Sequence, residues 1–189
     1  MKILYLAAGN GLLKYEDVTY QDLIIKRDLG GDMLNIDLTL YDLIVATPPC
    51  NFWSKASGNK TSQYALDTKN LLPKILEKLI FSHKPYIVEN VINKKRMIEH
   101  GILPFYQMLY HTVGRHSYFT NINVDLSQIK QDYDFKYGGY LLVPRIEQQG
   151  GSNVKEVLEF IIDQYISNKE DVATRIVKHY IEMLKGVRS

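Results

Sequence analysis

Two side chains of complementary chemistry end two apolar runs: Cys50 in "LYDLIVATPPC" and Glu89 in "YIVENV". A thiolate is a strong nucleophile, and a carboxyl group beside it can give or share a proton. Together they suit attack on an electron-poor ring carbon. Glu89 would take up the electron density that the attack pushes onto a ring nitrogen. Pro48 and Pro49 fix two φ angles and remove two backbone donors, so the loop that carries the sulfur is shaped before any substrate arrives. A lone cysteine is ordinarily a small buried hydrophobe. A core residue needs no such loop.

These groups need a frame to present them. "KILYLAA" from Lys2, "DLIIK" from Asp22, "LYDLIVA" from Leu40 and "YIVE" from Tyr86 read as buried strands bounded by Gly, Asp or Pro. Between the last two, Leu71, Leu72, Ile75, Leu76, Leu79 and Ile80 recur at helical spacing, and Pro73 fits a first turn. Strand, helix, strand predicts a crossover in a parallel sheet, which opens both strand ends, and so Cys50 and Glu89, on the same side. After Tyr110 come short tyrosine-rich pieces that read as edge strands and loops. Two helices finish the chain: one from Val154 to about Tyr165, then one opened by Ser167 with Glu170 as a capping box. The fold class expected is α/β, with a mostly parallel sheet and C-terminal helices in one domain, 1–189. Within it, 1–109 form a catalytic core, 110–150 a substrate-side segment, and 151–189 helices that pack back on the core.

Composition narrows the classes. With 46% hydrophobic and 23% charged residues the chain is of ordinary globular type, and no apolar run reaches bilayer length. The single cysteine excludes an internal disulfide and a cysteine-rich zinc site, and a cytoplasmic setting is expected. A net charge of +2 leaves nucleic-acid binding open, because phosphate contacts depend on local clusters.

"TPPCNFWSKA" followed by "VENV" resembles the nucleophile and glutamate motifs of the DNA cytosine-5 methyltransferases, and "GRHSYFTN" is similar to their later arginine motif. All three stand in family order. The resemblance implies a Rossmann-like methyltransferase fold and S-adenosylmethionine as cofactor. It implies Cys50 adding to C6 of a cytosine, Glu89 contacting N3 and the exocyclic amine, and Arg115 holding the base or the glutamate. Pro48, Pro49, Ser54, Asn90, Val91, His116 and Ser117 would then shape the base site. Ala8, Gly9, Asn10 and Gly11 in "LYLAAGNG", with Pro48, and with Asn168 in "SNKEDVATRIV", would touch the cofactor; Asp28 would bind its ribose, and Asp32 with Met33 its adenine edge. DNA is the implied partner, with base flipping if it is double-stranded. Lys94, Lys95 and Arg96 read either as a phosphate contact or as a solvated helix face.

The chain also departs from that pattern. Ala7 stands where the family has an aromatic residue, and "LLKYEDVTYQ" is too short for a full crossover helix, which implies a reduced cofactor half. Ser117 stands where a second arginine is usual. There is no room for a large target-recognition region, so sequence specificity would be low, would come from a homodimer or a partner chain, or would rest on the tyrosine-rich segment stacking on bases. Small size and stripped loops fit a phage or mobile-element protein. Two alternatives share the fold: a nucleic-acid-binding or split-enzyme subunit without the reaction, and a pyrimidine C5-modifying enzyme acting on a nucleotide. An amino-methyltransferase carries Asp, Asn or Ser before Pro-Pro; here the cysteine follows the prolines instead.

Overall fold

In the computed structural model the described residues are 1–54, 61–92, 94–100, 109–114, 116–129 and 154–169. Their strands are β1 (Ile3–Leu6), β2 (Val18–Tyr20), β3 (Leu43–Ala46), β4 (Tyr86–Asn90), β5 (Leu109–Val113) and β6 (His116–Thr120). Their helices are α1 (Gln63–Thr68), α2 (Leu71–Ser82), α3 (Lys94–Glu99) and α4, at residues 154–169; residues 127–129 are also helical, and Met33–Asn35 form a 3-10 turn.

The six strands make one mixed, mostly parallel sheet in the order β2-β1-β3-β4-β6-β5. β1 pairs in parallel with β2 and β3, and β3 with β4, while β6 runs antiparallel to β4 and to β5. The chain is therefore α/β, in an arrangement compatible with a Rossmann-like fold.

Strands buried on both faces read as continuous apolar runs, and the side-chain period of two divides such runs between two layers. Leu4, Leu6, Ile44, Ala46, Tyr86 and Val88 face α2, which contributes Leu72, Ile75, Leu76 and Leu79. Ile3, Tyr5, Leu43, Val45, Ile87 and Tyr118 face the other way, onto Val157, Leu158, Ile161 and Ile162 of α4. Each fully buried Leu or Ile contributes about 1.5–3 kcal/mol by leaving water.

Two expectations are corrected. The second strand is Val18–Tyr20 and not "DLIIK". Leu23 and Ile24 are instead 72% and 79% exposed, in the loop that follows the strand. α4 runs through Ser167 to residue 169, with no glycine or proline between Tyr165 and that residue to stop it, so Ser167 opens no new helix within the described residues. The expected second helix, with Glu170, and the tyrosine-rich stretch 130–150 lie outside the described residues.

No helix forms between β1 and β2. That short connection leaves part of one sheet face without a crossover helix, and α4 packs there instead. Leu13 is buried in the same cluster as the α4 side chains. The Tyr15 hydroxyl donates to the Glu159 carbonyl at 3.0 Å and to Asp163 at 2.8 Å, and the Lys14 amide donates to the Glu159 carboxylate at 2.6 Å. Burial, with Asp163 alongside, pushes the Tyr15 phenol well above its ordinary value. It stays a neutral donor.

Candidate active site

The ends of β3 and β4 build the side that carries Cys50 and Glu89. Thr47 leaves β3 by donating its amide to Leu6 and its hydroxyl to the Ala7 carbonyl at 3.0 Å, which ties the β3 exit to the β1 exit. Pro48 and Pro49 follow, and then Cys50, half-buried. The Cys50 carbonyl accepts from the Trp53 amide at 2.9 Å and the Ser54 amide at 2.8 Å, closing a tight turn behind the thiol. The Trp53 ring anchors that turn at 1% exposure.

Asn90 is fully buried and works as a bracket. Its side-chain amide donates to the Pro48 carbonyl at 3.0 Å, and its oxygen accepts the Val91 amide at 2.9 Å. The cysteine loop is thereby fixed to the strand that carries Glu89. Glu89, 8% exposed, lies 2.6 Å from Nδ1 of His116. A buried carboxylate needs such a partner, because desolvation of an unpaired one is costly. Tyr5 lies beneath Thr47; burial pushes its phenol up to about 12, and the Glu89 charge acts in the same direction, against the Thr47 hydrogen bond.

A cavity of about 520 Å³ joins the Cys50–Glu89 side to the exits of β1 and β2. Pro48, Pro49, Cys50, Asn51 and Glu89 line one part of it; Ala7, Gln21, Asp22, Leu23, Ile24, Ile25, Asp32 and Met33 line the other, with Tyr64, Thr68 and Leu71 along its side. The volume is in the range of small-molecule sites. Asp22 accepts the amides of Ile24 and Ile25 with one oxygen and that of Gly9 with the other. Partial burial opposes ionisation, but those three amides and the nearby Arg27 outweigh it and lower the Asp22 pKa. A fixed carboxylate therefore stands at the end of β2.

The sequence-predicted residues separate into groups. Cys50, Pro48, Pro49, Glu89, Asp32 and Met33 share the cavity lining. Ala8, Gly9, Asn10 and Gly11 form the turn after Ala7 without lining it. Gly9 turns with φ +54, and a Cβ on Gly11 would come within 3.0 Å of the Ala8 carbonyl. Asp28 is outside the lining and accepts the Tyr20 amide at 2.9 Å. Asn168 donates to the Asn123 carbonyl beyond β6, at the end of the sheet where β4 begins and away from the cavity. Ser117, 2% exposed, donates to the Ile92 carbonyl and meets the Tyr110 hydroxyl at 3.1 Å, so it braces β6. Val91 is half-buried beside Asn90. Arg115 and the side chains of Lys94 and Lys95 lie outside what is described.

Among the lining residues missed from the sequence are Asp22 and Gln21. Asp22 stands just after the second strand, and it was hidden inside the misread strand. Gln21 is 1% exposed; its side chain accepts the Ala7 amide at 3.1 Å and donates to the Gly31 carbonyl, joining three loops. A polar residue at the junction of a strand and an acidic turn was its only signal. No protein-family model matches the chain, and no curated protein matches it either.

Proposed function

We propose that this chain is a minimal S-adenosylmethionine-dependent DNA cytosine-5 methyltransferase, with a Rossmann-like methyltransferase fold. The observation that carries the reading is one cavity lined at one part by Cys50 and Glu89, and at the other by Asp22, Asp32 and apolar side chains. A thiol with an adjacent carboxyl group is the pair needed to add to C6 of a cytosine and to hold the proton shared with N3. Cys50 forms the bond to C6 as the thiolate, and Glu89 in its protonated form donates toward N3 as electron density arrives there. His116 holds the Glu89 carboxyl in place. C5 would then take the methyl group that S-adenosylmethionine supplies, with S-adenosylhomocysteine leaving, and loss of the C5 proton to a base with elimination of the Cys50 sulfur would restore the aromatic ring.

The donor part of the cavity fits the cofactor. An ionised Asp22 suits ribose hydroxyls, Leu23 and Ile24 offer apolar surface to a purine, and the Asp32–Met33 segment offers an acceptor and a packing surface at its edge. When bound, S-adenosylmethionine supplies an electrophilic methyl group. A base inside a duplex reaches Cys50 only by leaving the stack.

The test is intact mass after incubation with DNA containing 5-fluorocytosine. Fluorine at C5 blocks the final elimination, so the enzyme is expected to trap itself as an adduct that survives denaturation and carries one added methyl only when S-adenosylmethionine is present. Absence of an adduct on single- and double-stranded DNA, with adduct formation on a free 5-fluorocytosine nucleotide, would move the substrate to the nucleotide. Absence on both would end the catalytic reading.

A further inference from the structure

The helix after Glu89 reaches back to the turn after Cys50. Arg96 of α3 donates through Nη1 to the carbonyls of Phe52 and Trp53, the second and third residues after the cysteine. Its guanidinium also lies 5.6 Å from the centroids of both the Phe52 and the Trp53 rings. The His100 ring, one turn on, meets the same two rings edge to face at 5.7 and 5.1 Å. Arginine suits such a place, since a planar fork can bond to carbonyls while it stacks on aromatic faces. A guanidinium committed in this way is turned inward and does not present the open phosphate contact that the basic run "NKKR" suggests.

We propose that Arg96 is a positioning residue for Cys50. It clasps the turn that holds the thiol to the segment that follows Glu89, so the two reacting groups move as one unit. The Asn90 bond to Pro48 fixes the near side of the loop, and Arg96 fixes the far side. The inference rests on Cys50 being the reacting thiol, but its effect on the loop is measurable without turnover. Trp53 is the only tryptophan in the chain, so its fluorescence reports on this turn alone.

The experiment compares full-length wild type with Arg96→Met and Arg96→Lys. Three quantities are read: Trp53 emission with its acrylamide quenching, the rate of Cys50 alkylation by iodoacetamide, and the rate of adduct formation on 5-fluorocytosine DNA. For Arg96→Met the expected result is a changed Trp53 signal, altered thiol reactivity, and adduct formation slowed roughly 10- to 100-fold, as for a small misplacement of a reacting atom. Arg96→Lys, which keeps the charge and one donor, is expected to fall between, and it serves as the probe if the methionine variant does not fold. Unchanged tryptophan and thiol signals in both variants overturn the proposal, and a slower adduct rate beside unchanged signals reassigns Arg96 to the DNA. A wild type that forms no adduct sinks the methyltransferase reading, while the tryptophan and thiol readouts still test the clasp.

Discussion

Glu89 is held by two demands that act together: its carboxyl is almost excluded from water, and an imidazole nitrogen lies 2.6 Å away. Glu89→Gln keeps a hydrogen bond to His116 but cannot supply a proton as an acid does. Adduct formation on 5-fluorocytosine DNA is expected to slow by about 10²–10⁴, measured as the rate of the mass shift. Cys50→Ala is expected to abolish the adduct and leave DNA binding intact, checked by gel shift beside intact mass. A third residue-scale test concerns Ala7, which lines the cavity at φ +51. A residue with a Cβ pays roughly 1–2 kcal/mol there, and glycine avoids that strain at the expense of unfolded-chain entropy. Ala7→Gly is expected to raise stability by up to about 1 kcal/mol, seen as a higher urea midpoint.

At the scale of elements, period and length made part of the fold legible. β1, β3 and β4 are buried on both faces and read as apolar runs, and α2 shows its stripe because Leu72, Ile75, Leu76 and Leu79 all face the sheet. β2 was misread for a physical reason. It is a three-residue edge strand of half-buried side chains, so it carries little apolar signal, whereas Leu23 and Ile24 imitate a strand because they rim a cavity. Asp22 was lost with that register. Cys50 and Glu89 were legible because each closes a strand that was itself legible. Gln21 and Arg96 were not, since their partners are backbone carbonyls and amides that no sequence pattern announces. α4 was expected, but its place over the β1–β2 connection follows from tertiary packing alone. Leu158 is fully buried at that contact, and Leu158→Ala is expected to cost about 2–5 kcal/mol in chemical denaturation.

For the whole molecule, pH is the simplest probe of how charges support the fold. Asp37, Asp42 and Asp125 are lowered chiefly by accepting backbone amides, from Thr39, Lys2 and Ser127; Asp22 is lowered despite its partial burial. A group whose folded pKa lies below its unfolded value stabilises the fold above that unfolded value, and the contribution is lost as pH falls through the folded one. Stability is therefore expected to be level above the ordinary aspartate pKa of about 3.9 and to fall below it. Urea midpoints from pH 6 down to pH 2 check this. Asp22→Asn is expected to shallow the fall, because it removes one of these four described groups, each of which binds extra protons on unfolding.

The packing of α4 over the helix-free β1–β2 connection also has a consequence in time. The bond between Lys14 and Asp163 spans 149 positions of sequence, so the layer over that face closes only after most of the chain exists. At synthesis rates of about 5–20 residues per second, β1 waits roughly 8–30 s for the helix that covers it. Through that interval Ile3, Tyr5 and Val45 have no α4 to bury them, and pairing of β1 with β3 must hold without that layer. Slow codons between residues 100 and 150 would lengthen that exposure.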